Sequence, residues 1–208
     1  MVDILISGGP VMIPLGVLSM VALAIIIERL WVLRRGKFLQ AAIVQTLSGL
    51  LAGGKFRGAV DFCHRHPGPF TSLVTALVEN RNAPYEELKE ILEDTGRLEL
   101  MSLQRGLPAL ATIVAGAPLL GLLGTVIGMI KIFAVVATAG SGITEQLSAG
   151  ISQALITTAS GLVIAIPALF TQSYLESRAV AILSEIEAQI LDFLHLVRER
   201  ETDQEEAD

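Results

Sequence analysis

The chain has 208 residues, of which 52% are hydrophobic and only 17% are charged, and its mean hydropathy is +0.62. Soluble domains carry about 25% charged residues, so this composition excludes an ordinary soluble domain and predicts an integral membrane protein. A formal charge of −6 without a basic stripe argues against a nucleic-acid partner. The single cysteine, Cys63, excludes an internal disulfide.

The first predicted span occupies Ile4 to Ile27, a stretch without a charged residue. A secretory signal peptide carries its positive charges before the apolar run, whereas here the basic residues follow it, between Arg29 and Lys37. The positive-inside rule therefore predicts that this basic side is cytoplasmic and that the N-terminus is periplasmic. Residues 1–37 are assigned to the periplasmic N-terminus and the first transmembrane helix.

Residues 38–106 are predicted to form a helical cytoplasmic region. Apolar residues recur at three- and four-residue steps from Leu39 to Leu51, and Gly53-Gly54 should end that helix. Two shorter helices are expected on either side of Pro67, and Asn82 is the expected N-cap of the next one. Because no stretch alternates as a strand does, the predicted fold class is all-α.

Two further spans are predicted between Leu107 and Leu175, where the only charged residues are Lys131 and Glu145. Each is longer than the roughly 20 apolar residues that a helix needs to cross a bilayer. The predicted divisions are a second transmembrane helix at 107–138, a short periplasmic loop at 139–147 and a third transmembrane helix at 148–175.

Residues 176–208 are predicted to form a cytoplasmic helix that continues the third span, followed by an acidic tail. A heptad-like seam runs along it, and its partner is either the helices of the same chain or a neighbouring copy. The tail from Glu199 to Asp208 is predicted to be disordered. The residues of the seam are Leu183, Ile186, Ile190, Leu194 and Val197.

Small residues at four-residue steps predict close helix packing in the second and third spans, because helices in lipid associate through faces that let their backbones approach. Gly124 and Gly128 form one such step, and Gly150, Ala154 and Thr158 form another. Threonines in membrane helices commonly bond the preceding turn. Gln153, by contrast, must find a partner or water within its span, so it is predicted to line a hydrated interface.

Two strings in the correct order, APLLGLLGTVIGM at 117–129 and GISQALITTASGLVIAIPA at 150–168, resemble the signature of the MotA/TolQ/ExbB proton-channel family, with the greatest similarity to its ExbB branch. This resemblance implies a homopentamer in the bacterial inner membrane whose second and third spans surround a pore. It also implies an ExbD-like single-span subunit, as a dimer in that pore, and a TonB-like force transducer. The proton motive force would energise outer-membrane transport.

By motif position, Thr125 and Thr158 match the family's pore threonines. The best-known relatives carry a glutamate where this chain has Gln153, and an amide cannot carry a proton at physiological pH. The ion-carrying carboxylate is therefore expected from the partner. The predicted ion-pathway residues are Thr125, Gln153, Thr157 and Thr158. The residues predicted to set helix packing and pore shape are Pro118, Gly121, Gly124, Gly128, Gly150, Ala154, Gly161 and Pro167.

Several alternatives remain open at the level of the sequence. The chain can be a TolQ-like subunit of the Tol-Pal system, a sodium-driven member of the same family, or, in a different class, a passive membrane scaffold. An enzyme is disfavoured because all three histidines, His64, His66 and His195, lie outside the spans. No catalytic residue, metal or cofactor is predicted, and the expected partners besides protein are membrane lipids.

Overall fold

The computed structural model describes residues 8–33, 39–138 and 144–205, with side chains described for 8–33, 39–134 and 147–198. Helices dominate these residues and no strand occurs among them, so the predicted all-α class is confirmed. The helices are α1 (Met12–Val32), α2 (Ala41–Ala52), α3 (Phe56–Arg65), α4 (Pro69–Glu79), α5 (Tyr85–Leu103), α6 (Leu107–Thr138) and α7 (Thr144–Glu205).

Three of the described helices, α1, α6 and α7, are long and apolar enough to cross a membrane. A helix can cross the bilayer because its backbone groups hydrogen-bond to one another, whereas the lipid core offers no hydrogen-bond partner. Helix α6 has the bounds predicted for the second span. The basic residues Arg34, Arg35 and Lys37, and most of the predicted loop at 139–147, lie outside the described residues.

The chain divides into two compact units. The membrane unit consists of the described residues up to Trp31 together with Gly106–Leu175. The hydrophilic unit consists of Val32–Arg105 and the residues from Glu176 onwards. The division separates the predicted membrane spans from the predicted cytoplasmic helices.

In the membrane unit, α1 packs against both α6 and α7 through small clusters of buried residues. Leu15 of α1 clusters with Ala117 of α6 and Ala165 of α7. Farther along the helices, Ala22 clusters with Leu110 and with Ala168. The buried residues of α6 and α7 include small ones such as Ala117 and Ala165, while larger apolar side chains such as Leu122 and Phe170 are exposed, as expected where lipid is the solvent.

The hydrophilic unit has a conventional apolar core between α2–α5 and the C-terminal part of α7. The predicted seam lies in this core, since Ile186 and Val197 are both fully buried there. The helices of the same chain therefore cover these residues of the seam. Phe193 adds an aromatic contact, with its ring centroid 5.7 Å from that of Phe70.

Helix α7 passes without a break from the third span into the hydrophilic unit and extends to Glu205. The prediction of a disordered tail is wrong over 199–205, since these residues are helical. Glutamate, glutamine and arginine are strong helix formers, and the acidic composition obscured that propensity. Residues 206–208 lie outside the described residues.

Two helix boundaries show how local chemistry sets the ends. Helix α2 ends as predicted at the glycine pair: Gly54 has φ +68°, and the Lys55 amide donates to the Leu50 carbonyl at 2.9 Å, as in a Schellman motif. The predicted Asn82 cap is wrong. Helix α5 begins at Tyr85 with Pro84 as its N-cap and no side-chain capping bond.

Candidate functional site

Helices α6 and α7 of the membrane unit meet along a face of small residues, called here the small-residue interface. Ala117, Ala154 and Thr157 are among its buried members, and Thr157 has no exposed surface. Most of the residues predicted to set helix packing are brought together here. The members are Ala117, Gly121, Gly124 and Gly128 on α6 and Gly150, Ala154, Thr157, Thr158 and Gly161 on α7.

At two glycines the backbones approach so closely that no side chain fits. A Cβ atom added to Gly121 would lie 3.0 Å from the Thr157 carbonyl oxygen, and one added to Gly161 would lie 2.5 Å from the Ala117 carbonyl oxygen. Backbone atoms can yield only if a whole helix moves. Glycine at these positions therefore sets the separation of α6 and α7.

At the remaining glycines of the interface, the nearest atoms belong to side chains of the opposite helix. A Cβ atom on Gly124 would overlap the side chain of Thr157, and one on Gly128 would lie 3.0 Å from the Ala154 Cβ atom. One on Gly150 would lie 2.9 Å from Cδ1 of Ile132. The interface thus continues over about three helical turns of each helix, from Gly161 to Gly150 on α7.

Both motif prolines lie inside these helices, Pro118 in α6 and Pro167 in α7. Proline has no amide hydrogen, so the carbonyl one turn earlier lacks its usual helical donor. Pro118 adjoins the buried Ala117 at the edge of the interface, whereas Pro167 is exposed. The Pro167 carbonyl itself accepts a hydrogen bond from the Thr171 hydroxyl at 2.8 Å.

The three predicted pore threonines have different hydrogen-bond partners. The Thr158 hydroxyl crosses the interface and donates to the Gly121 carbonyl of α6 at 3.1 Å. The Thr157 hydroxyl donates within its own helix, to the Ala154 carbonyl at 2.9 Å, and Thr125 likewise donates to Leu122 at 2.6 Å. Of the three, Thr125 has its hydroxyl bond on an exposed surface of the chain.

Gln153 faces the segment before α1. Its amide nitrogen Nε2 donates to the Gly8 carbonyl at 3.5 Å, and the side chain is partly buried. Its neighbours therefore differ from those of Thr157 and Thr158, which contact α6 at the small-residue interface. That Thr125, Gln153, Thr157 and Thr158 line an ion pathway stays a prediction.

Ionisable groups are sparse in the membrane unit. Among its described side chains the charged ones are Glu28, Arg29 and Lys131. Glu28 is the only carboxylate of these, its side chain is 61% exposed, and it pairs with Arg29 at 2.8 Å. Since the small-residue interface contains no titratable side chain, its described residues offer hydroxyl and carbonyl groups to an ion but no carboxylate or imidazole to accept a proton.

Sequence reasoning missed two features of this unit. The first is that Gly8 and Gly9 approach Gln153, and the only signal was the Gly8-Gly9-Pro10 string itself. The second is Arg29, which was interpreted as a topology signal. It is 7% exposed, and its Nε atom has no hydrogen-bond partner among the residues that the structure describes.

Comparison with known proteins matches the chain along most of its length. A model of the MotA/TolQ/ExbB proton channel family matches residues 67–188. An ExbB-like biopolymer transport protein of Synechocystis is 31% identical over 95% of this chain and 76% of its own length. The biopolymer transport protein ExbB of Neisseria meningitidis serogroup A is 28% identical over 91% of this chain and 93% of its own. The Tol-Pal system protein TolQ of Haemophilus influenzae is 39% identical over a shorter part, 40% of this chain and 37% of its own.

Proposed function

Because this chain belongs to the MotA/TolQ/ExbB proton channel family, we propose that it is the stator-like subunit of an ion-driven motor of the ExbB–ExbD type. In this proposal five copies surround a pore in the bacterial inner membrane. A dimer of an ExbD-like single-span subunit occupies the pore and carries the ion on its own carboxylate. The proton motive force then energises outer-membrane transport through a TonB-like transducer.

The observation that carries this proposal is the close contact of α6 and α7. Glycines at 121 and 161 bring the two backbones together, and Thr158 bonds across them to Gly121. Two helices held at a fixed separation suit the wall of a pore, called here the pore wall, which must keep its shape while a partner turns inside it. Two membrane helices packed only through large apolar side chains would separate more easily, because such side chains gain little free energy from contact with one another in lipid.

The charge pattern supports a partner that supplies the titrating group. The small-residue interface has no carboxylate, and Gln153 stands where the resemblance predicts a glutamate. One charge that crosses 100 mV releases about 2.3 kcal/mol, so repeated transfers can drive mechanical work. In this proposal the exposed hydroxyl bond of Thr125 is nearest to the ion's path, and Thr157 and Thr158 hold the pore wall behind it.

The orientation in this proposal follows the positive-inside rule. The basic residues that follow α1 are placed in the cytoplasm, together with the hydrophilic unit and the C-terminus. The N-terminus is then periplasmic, and so are Lys131 near the end of α6 and the connection from α6 to α7.

A TolQ-like role is the second candidate, and the similarity to the Tol-Pal protein of Haemophilus influenzae favours it. Both roles use the same contact between α6 and α7, and they differ in the single-span subunit that binds the chain. Sodium is the alternative ion for either role, because hydroxyl and amide oxygens can ligate it without a proton-binding group in this chain. Identification of the single-span protein that copurifies with the chain would separate the two roles.

The test is ion flux in vesicles that contain the chain with and without its ExbD-like partner, under a proton gradient and then a sodium gradient. Flux is expected only with the partner. Thr158→Val, which keeps the shape of the side chain and removes the bond to Gly121, is expected to reduce flux to the level seen without the partner.

The matched control is Thr171→Val, since that hydroxyl bonds only the preceding turn of its own helix in the described structure. It is expected to retain the flux of the unmodified complex. Undiminished flux in Thr158→Val would refute the proposal that the contact between α6 and α7 shapes the ion pathway. A complex that assembles with the partner but conducts no ion would favour the passive scaffold.

A further inference from the structure

We propose that Gln153 is a positioning residue that fastens the turn before α1 to α7, and that its uncharged amide makes this attachment independent of pH. The N-terminal turn, defined here as residues 8–11, is where the described chain enters α1. The attachment requires no ion to pass and no other subunit, so it goes beyond the proposed function.

Three contacts bring the N-terminal turn onto α7. The Gln153 Nε2 atom donates to the Gly8 carbonyl at 3.5 Å, which is a long bond. A Cβ atom on Gly9 would overlap the amide of Gln153, and one on Gly8 would lie 3.5 Å from Cγ2 of Ile156. The backbone itself therefore rests on the two side chains of α7.

Glycine is required at this turn for a second reason. Gly9 has φ +70°, a left-handed conformation that residues with a Cβ atom rarely adopt. The position therefore combines a backbone conformation that favours glycine with a contact that leaves no space for a side chain. The steric requirement would disappear if the turn moved away from Gln153, so a glycine at this position fits the observed contact.

The amide has the right chemistry for its acceptor. A carbonyl oxygen needs a donor, and the amide group of glutamine supplies one in the whole physiological pH range. A glutamate at this position, which the family resemblance predicts, would donate only when protonated. When ionised it would place a negative charge opposite a carbonyl oxygen, with little water to screen it.

Fastening the turn positions the first turn of α1. The Met12 amide donates to the Gly9 carbonyl at 3.1 Å, so the turn and the helix start are one hydrogen-bonded unit. Val11 and Leu15 then enter the cluster that contains Ala117 and Ala165. Gln153 thus fixes the N-terminal end of α1 against the packed helices α6 and α7.

No other described group nearby titrates in competition with this residue. The N-terminal turn and the α7 residues from 147 to 157 contain no ionisable side chain, and α6 contributes only Lys131, which is exposed. Glu28 and Arg29 lie near the opposite end of α1, and Tyr174 lies on α7 beside Leu175, where the membrane unit ends. A change of protonation in a Gln153→Glu variant is therefore readable at this site.

The experiment is hydrogen–deuterium exchange of the full-length protein in nanodiscs, read at the amides of Met12, Ile13 and Leu15, which bond back to the turn. Gln153→Met keeps a similar length without a donor, and its exchange should be faster than wild type by up to about fivefold, the effect of losing one ordinary hydrogen bond, since the bond at 3.5 Å is longer than an ordinary one. Ser152→Ala, at the exposed neighbouring position, should exchange as wild type does.

A pH series with Gln153→Glu separates positioning from simple packing, with each rate compared with wild type at the same pH. Protection should equal wild type at acidic pH, where the introduced carboxyl donates, and should fall as the carboxyl ionises. Equal protection at every pH would overturn the proposal. So would wild-type protection in Gln153→Met. Neither result depends on ion flux, so failure here leaves the proposed function standing.

Discussion

In the hydrophilic unit the largest buried side chains include Phe70, Phe193 and Leu47, whereas in the contact between α6 and α7 the buried positions include Ala117 and Ala154. Both units consist of packed helices, but one is covered by water and the other by lipid. Water drives large apolar side chains inward. Lipid does not, so the membrane unit gains stability where backbones approach and dispersion contacts are dense.

The difference determines which kind of substitution each unit tolerates. The hydrophilic unit should respond most to loss of volume, because a cavity removes apolar burial and packing together. The small-residue interface should respond most to added volume, because Gly121 and Gly161 already contact backbone atoms. Opposite substitutions in the two units therefore test the same comparison.

The largest expected effect is that of Phe193→Ala. Phe193 is 2% exposed and packs on Phe70, so its truncation should lower the free energy of unfolding by about 3–5 kcal/mol. Denaturant unfolding of the protein in mixed micelles measures this change. Leu191→Ala on the same helix, where the side chain is 53% exposed, should change it by less than about 0.5 kcal/mol. Equal losses in the two variants would contradict the assigned core.

The next effect is that of Gly161→Ala, which adds a single methyl group to the small-residue interface. The new Cβ atom would lie 2.5 Å from the Ala117 carbonyl oxygen, and the helices must separate to admit it. Overpacking of this kind costs about 1–3 kcal/mol.

The matched control is Gly116→Ala on α6, where an added Cβ atom has no described atom within 4 Å apart from its chain neighbours and the nearby backbone of its own helix. Alanine is also the better helix former, so this variant should be neutral or slightly more stable. A thermal unfolding series in one detergent compares the two. If both glycines tolerate alanine equally, then close backbone approach does not hold α6 to α7.

Much of the fold could be predicted because the relevant signals are local. A long apolar stretch with a single charged residue identified α6, glycines at 53 and 54 ended α2, and the periodic apolar residues from Leu183 to Val197 predicted a buried face. Where charge and propensity opposed each other, the prediction was wrong: residues 199–205 are helical although their composition is acidic. At Asn82, a good capping residue stands two positions before Pro84, which is the actual N-cap.

The site was less accessible to prediction because it depends on which faces meet. Spacing grouped Gly124 with Gly128, but no pattern indicated that Thr158 bonds Gly121. Gln153 was expected at a hydrated interface because a lone amide needs a partner. The partner it has is a backbone carbonyl 145 residues away in sequence, and backbone carbonyls leave no trace in the order of side chains.

The smallest expected effect concerns Cys63, a buried residue of the hydrophilic unit. Burial raises the pKa of its thiol, and a side-chain hydrogen bond with Thr75 opposes this shift in part. The thiolate is the nucleophile, so alkylation of the folded protein should be slow at pH values where the unfolded chain, with a thiol pKa of about 8.5, already reacts.

The sign of the linked stability follows from the same shift. The pKa of Cys63 is higher in the folded state, so the folded protein keeps the thiol proton to a higher pH than the unfolded chain does. The contribution of Cys63 to the free energy of unfolding is therefore complete below pH about 8.5 and is lost as the pH rises through the folded-state pKa. Thr75→Val removes the opposing bond and should move the alkylation midpoint to still higher pH. If slow alkylation came from steric exclusion alone, Thr75→Val would leave the midpoint unchanged, because exclusion lowers the rate at every pH while a raised pKa moves the titration itself.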